Sequence, residues 1–172
     1  MKLARTVGGA IAGSVAAGLM AAQAPLDKRV FECDYDDVEL LGKLVTRGSD
    51  WPFVGLALHL QNGALLGAAY SQLRPFLPGP PLAGALLIAL GENFATWPLA
   101  QLSDRYHPAR GQLPRLQGNR RALAQATWRH VVFGLALGLL EAAINDRSAD
   151  EPPSVPVSSN GHGNIETAMT LA

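Results

Sequence analysis

His59-Leu60-Gln61-Asn62-Gly63-Ala64-Leu65-Leu66-Gly67 and, 71 positions later, His130-Val131-Val132-Phe133-Gly134-Leu135-Ala136-Leu137-Gly138 share one pattern, a histidine followed by glycine at every fourth place. A spacing of four returns to the same stripe of an α-helix. Glycine on that stripe removes the side chain that would hold a neighbour away, so two helix backbones approach closely. These stretches predict two helices, each pressing a small-residue seam headed by an imidazole against a partner.

The pattern spreads outward at the same offset. Ile11-Ala12-Gly13 aligns with Leu82-Ala83-Gly84, and Leu19 aligns with Leu90. Gly9, Gly13 and Ala17 also recur every four residues. Four stretches, about 6–24, 51–73, 82–102 and 122–144, are apolar over the roughly 20 residues that a hydrocarbon core of about 30 Å demands. Backbone groups cannot stay unpaired in lipid, so such stretches are helices. The chain therefore reads as an all-α polytopic membrane protein. Residues 1–145 form four transmembrane helices arranged as two duplicated hairpins, with helices one and three corresponding, and two and four. A two-helix repeat returns the chain to its starting side, so the halves are parallel, related by a pseudo-two-fold along the membrane normal. From 146 to 172 the tail is polar and rich in Pro and Ser, with too little apolar surface to fold, and disorder is expected.

Composition agrees. Of 172 residues, 16% are charged, against the roughly one quarter usual in soluble domains. The charges gather at 25–50, 103–121 and 141–151. A net charge of zero gives no basic excess for nucleic acid. Cys33 is alone, which rules out an intrachain disulfide and a cysteine-based metal site.

Pro52 suits the first turn of the second helix. Arg74-Pro75 and Pro78-Gly79-Pro80-Pro81 predict a tight turn, and Pro98 is expected to kink or end helix three. In the first long loop, Asp34 to Val45 predicts a short helix lying on the membrane surface through Val38, Leu41 and Val45. Asp34, Asp36 and Asp37 read as its solvated start rather than as a cation site. The loop 103–121, with five arginines between Gly and Pro, reads as irregular. Lys2, Arg5, an apolar core and Ala22-Gln23-Ala24 are similar to a cleaved secretory signal. Pro25 directly after that site, and the match with helix three, favour a retained helix. The long-loop side carries nine cations and the other side four, which places the long loops in the cytoplasm; Lys2 and Arg5 argue the reverse.

His59 and His130 each lie eight residues into their helices, about 12 Å deep at 1.5 Å per residue. Glu92 lies ten residues into helix three, where a charge costs roughly 2.5–3.5 kcal/mol. It must be protonated, face the interior or pair, and His59, Asn62, Arg129 and His130 complete a candidate intramembrane cluster. Arg129 is expected to snorkel to the nearer interface. Tyr70 and Glu141 are expected as interfacial anchors, and Trp51 and Trp97 as an aromatic belt. The preferred reading of the cluster is an interhelical hydrogen-bond network that fixes packing. The alternatives are a proton or small-solute path and a b-type haem between His59 and His130, the latter crowded by Trp128 and Arg129. No catalytic grouping, metal-ligand spacing or phosphate loop is legible, so no enzyme activity, metal or cofactor is expected. The expectation is an inner-membrane, multi-pass protein of structural or interaction type. Its partners are the lipid bilayer, a second copy or other membrane proteins, because seams built on Gly9, Gly13, Gly63, Gly67, Gly134 and Gly138 serve within a chain or between chains.

A Gly/Ala-rich first helix, His59 with Asn62-Gly63, Gly67-Ala68-Ala69-Tyr70, and Trp128-Arg129-His130-Val131-Val132-Phe133-Gly134 with Gly138, together resemble the small bacterial inner-membrane proteins of the YagU-like type. The likeness covers about residues 6–144. It implies a multi-spanning inner-membrane protein without a settled reaction.

Overall fold

The computed structural model describes residues Leu3–Ala149. They form α1 (Leu3–Ala22), α2 (Ala24–Phe31), α3 (Asp37–Val45), α4 (Trp51–Leu73), α5 (Pro81–Ala100), α6 (Ser103–Tyr106) and α7 (Arg120–Ala149), with no strand among the described residues. Among the described residues three helices are long and apolar enough to cross a membrane: Leu3–Ala22, Pro81–Tyr106 and Arg120–Asp146. The 23 residues of α4 are long enough, but His59, Gln61 and Asn62 at its centre lower its apolarity.

On α1 small residues line the buried side and large apolar ones face outward. On α1 the buried side is Gly8, Gly9, Ala12, Gly13, Ala16, Ala17 and Met20, while Val7, Ile11, Val15 and Leu19 are each about half exposed. The buried stripe of α4 is Gly55, His59, Gly63, Gly67, Tyr70 and Ser71. The two stripes meet so closely that a Cβ on Gly13 would strike the Gly63 carbonyl oxygen, and one on Gly67 the Gly9 carbonyl oxygen. The second seam is looser. A Cβ on Gly134 or Gly138 would sit 3.0 Å from the Cα of Leu86 or Leu82 on α5. α1 also packs along α7, giving the row α4–α1–α7–α5. Helices α4 and α7 scarcely touch, and α4 and α5 form no extended interface. They are tied at their shared turn, where the Tyr70 hydroxyl donates to the Pro81 carbonyl.

The long loops are more ordered than their composition predicts. α2 follows a break at Gln23, with Pro25 in its first turn and Glu32 in the left-handed region closing it. The Asp36 carboxylate caps α3 by accepting from the Val38 and Glu39 amides. α3 lies against α4, where Gly42 and Gly55 remove the side chains between them; it is therefore packed on protein rather than resting on lipid alone. The segment 103–121 is not irregular throughout. It holds α6 and the 3₁₀ turn Arg110–Gln112, and Asp104 accepts from the Leu116 and Gln117 amides. The His107 Nδ1 accepts from the Ala109 amide, so its Nε2 carries the proton and donates to the Leu40 carbonyl at 2.9 Å.

Other expectations shift. α5 runs through Pro98 to Ala100: the proline removes one ladder bond, and the helix closes two residues later instead of at Trp97. The first helix is Leu3–Ala22 rather than 6–24, and α7 starts two residues early and continues to Ala149, so 146–149 are helix and not tail. The disorder expected of the tail lies otherwise outside the described residues.

The tight seam yields a direct test. Gly13→Val puts branched carbon against backbone and is expected to cost at least about 1–3 kcal/mol, the usual range for overpacking. Gly91→Ala meets nothing within 4 Å and is expected to leave stability equal or slightly higher. Melting temperatures of the two variants in detergent solution make the comparison.

Candidate functional site

The interior at the long-loop end is polar. Arg129 of α7 is only 2% exposed. Its Nε donates to Asp27 Oδ2 at 2.6 Å, and one terminal nitrogen to Asp27 Oδ1 at 2.8 Å, a bidentate pair. The other terminal nitrogen reaches Asp37 Oδ2 at 3.1 Å. Gln125 donates to Asp27 and to the Tyr35 carbonyl, and the Tyr35 hydroxyl donates to Asp37. Burial pushes the Tyr35 hydroxyl well above its ordinary value, so it stays a donor. Burial also works against ionisation of Asp37, but the Arg129 guanidinium and the Tyr35 hydroxyl outweigh it and hold that carboxyl below its ordinary value. Arg129 thus does not snorkel. Two carboxylates delivered by α2 and α3 meet it inside the protein, and it takes no part with Glu92.

Beside this network lies a cavity of about 590 Å³. It occupies the gap between α4 and α5, with residues of α1, α3 and α7 completing its wall. His59, Asn62, Glu92 and His130 all line it, together with Asp37 and Asn93. Four of the five polar residues singled out from sequence therefore converge on one space, and the fifth, Arg129, stands behind it holding Asp37. His59 lies against the Ala17 backbone, is 8% exposed, and its Nε2 is buried without a hydrogen-bond partner. The His130 Nε2 lies 2.8 Å from Glu92 Oε2, and its Nδ1 lies 2.7 Å from the Ala126 carbonyl. A carbonyl only accepts, so Nδ1 carries a proton, and one further proton is shared between Nε2 and the carboxylate. The pair is neutral as a whole. It also joins α5 to α7, as does Asn93 donating to Thr127 at 3.2 Å. The Glu92 side chain remains 36% exposed.

Tyr70 and Glu141 are both fully buried and not interfacial anchors. Glu141 is held by Arg74 at 2.6 Å and by Asn145 at 2.7 Å. Trp128 donates to Gln23 at 3.0 Å. Trp97 lines the cavity and meets Tyr35 edge to face at 6.1 Å between ring centres. Asp37 was expected in solvent and sits instead against Arg129; Asp27, Tyr35, Gln125 and Asn93 carried no sequence signal. An arginine deep in an apolar helix was the available clue, since such a charge demands carboxylates from elsewhere in the chain. Cys33 is buried, and no group of three or more His, Cys, Asp or Glu able to hold a metal occurs among the described residues.

No protein-family model, curated protein or solved structure matches the chain. The site therefore stands on its own geometry, which makes two predictions. Arg129→Met strands the buried carboxylate of Asp27 and the partly buried one of Asp37 and is expected to cost about 3–5 kcal/mol of unfolding free energy. Arg121→Met, which loses an exposed contact with Glu32, is expected to change stability little. Equal losses in the two variants would remove the buried pair from its role. The Asp37 carboxyl is held below its ordinary value in the folded state. Its stabilising contribution is thus present above the unfolded-state value and is lost as pH falls through the folded one. Unfolding midpoints measured down to acid pH should decline, and Asp37→Asn should flatten that decline.

Proposed function

We propose that the chain is a multi-pass inner-membrane protein with four spans, α1, α4, α5 and α7, that takes a small solute into the cavity between α4 and α5. The observation that carries this reading is the convergence of His59, Glu92 and His130 on one space large enough for an organic molecule. The three apolar helices and the outward row Val7, Ile11, Val15 and Leu19 support insertion in lipid. The fourth span is supported by α4 packing along α1 over a seam too close for side chains. The duplication is supported by the pairing of α1 with α4 and of α5 with α7, each through a glycine stripe below a histidine. The affinity to the YagU-like type belongs to the same proposal.

A purely structural role for the cluster has its own support, because Glu92–His130 and Asn93–Thr127 both bind α5 to α7. The haem alternative fits poorly, since both ring nitrogens of His130 are engaged.

The neutral probe 1-aminoanthracene, which brightens in apolar sites, tests the reading on detergent-solubilised protein. Saturable emission is expected, lost in the double variant Ala69→Phe/Ala100→Phe that fills the cavity wall. Emission that never saturates, or that ignores the filling, would leave the structural role standing alone.

A further inference from the structure

The cavity's wall has a sign. Around Arg129 one guanidinium meets two carboxylates, Asp27 and Asp37. Lys28, on the same helix as Asp27, pairs with Asp36 at 2.6 Å. Glu92 and His130 together are neutral on the hydrogen-bond geometry above. The set of Arg129, Asp27 and Asp37 therefore carries one net negative charge, and Asp37, which belongs to it, lines the cavity. The titratable and charged groups facing the space are Asp37 from α3, His59 from α4, Glu92 from α5, His130 from α7, and Tyr35, with Arg129 behind Asp37. α1 contributes only Ala17 and Met20, so nothing on that side cancels the excess.

An uncompensated charge in a poorly hydrated interior is costly, and a cation placed beside it recovers part of that cost. The rest of the wall decides which kind of cation. Met20, Leu65, Leu66 and Phe133 separate the oxygens of Asp37, Asn62, Asn93 and Glu92, no group of three or more His, Cys, Asp or Glu able to hold a metal occurs among the described residues, and inorganic cations need several converging oxygens to replace their water. Aromatic faces at Trp97 and Phe133 suit a large, weakly hydrated cation instead. Glu92, more than a third exposed, is the carboxylate such an ion reaches.

Resting on the reading of the cavity as a solute site, we propose that its ligand is an organic cation with an apolar body, held by Glu92 and the Asp37 excess charge and bedded on Trp97 and Phe133. Anions and neutral molecules of the same shape bind more weakly.

Tetraphenylphosphonium and tetraphenylborate, nearly equal in size and opposite in charge, test this by equilibrium dialysis of the full chain in detergent, against detergent alone. The phosphonium is expected to bind saturably and at least about tenfold more tightly than the borate, a difference of 1.4 kcal/mol. Glu92→Gln, which keeps the hydrogen bond to His130 within reach, is expected to weaken the phosphonium about tenfold and to narrow its preference over the borate. Asp37→Asn should act in the same direction, and Glu92→Gln stands alone if that variant does not fold. Equal binding of both ions, or indifference to Glu92→Gln, overturns the cation assignment while the solute site survives. If neither ion nor the neutral probe saturates, the solute site itself falls with it.

Discussion

The distance between α1 and α4 governs the molecule. With Gly13 against Gly63 and Gly9 against Gly67, the two backbones are in direct contact, and dispersion plus the loss of any gap takes the place of interlocked large side chains. At the α1–α4 seam glycine and alanine leave room for few bulky residues inside, and the large apolar residues Val7, Ile11, Val15 and Leu19 of α1 point outward. That distribution is favourable where the surroundings are themselves apolar.

Close packing on three sides also explains the gap on the fourth. α1 adjoins both α4 and α7, and α7 adjoins α5, but no matching interface links α4 to α5. A strict two-fold relation between the proposed halves would pair α5 with α4 as α1 pairs with α7. The departure from that relation is the cavity itself. The glycine seams hold the walls at fixed positions, Tyr70 ties α4 to the start of α5 through Pro81, and the helices are free to part toward the other end, where the polar side chains stand. Asymmetry is visible in the residues as well, because Glu92 aligns with nothing acidic on α1.

The seams, the four long helices and the Glu92–His130 neighbourhood were legible because they follow from periodicity and depth along single helices. Gly63 and Gly134 announce close approach by spacing alone, and Glu92 and His130 fall at similar depths by simple counting. The Arg129 network was not legible, since its partners come from α2 and α3, roughly a hundred residues earlier, and nothing local distinguishes Asp27 or Asp37 from the solvated carboxylates around them. Tyr70 and Glu141 were misplaced for a related reason. Their position near a helix end fits an interface, and only the inward turn of Arg74 and the Pro81 carbonyl makes burial affordable.

The two polar groups on α7 show how adjacent residues come to do different work. Arg129 and His130 are neighbours, so they point about 100° apart on the helix. Arg129 faces α2 and α3, where carboxylates on short capped helices neutralise it. His130 faces α5 and the cavity, where its Nε2 meets a carboxylate still open on one side. In the first arrangement every guanidinium nitrogen has a carboxylate partner. The second is neutral yet incomplete, with Glu92 retaining exposed oxygen surface and His59 Nε2 unpartnered across the gap. Because Arg129 spends its charge on both Asp27 and Asp37, it fixes α2 and α3 in place and leaves the adjoining cavity electronegative. The interaction that secures the long-loop end thereby also sets the kind of molecule the cavity favours.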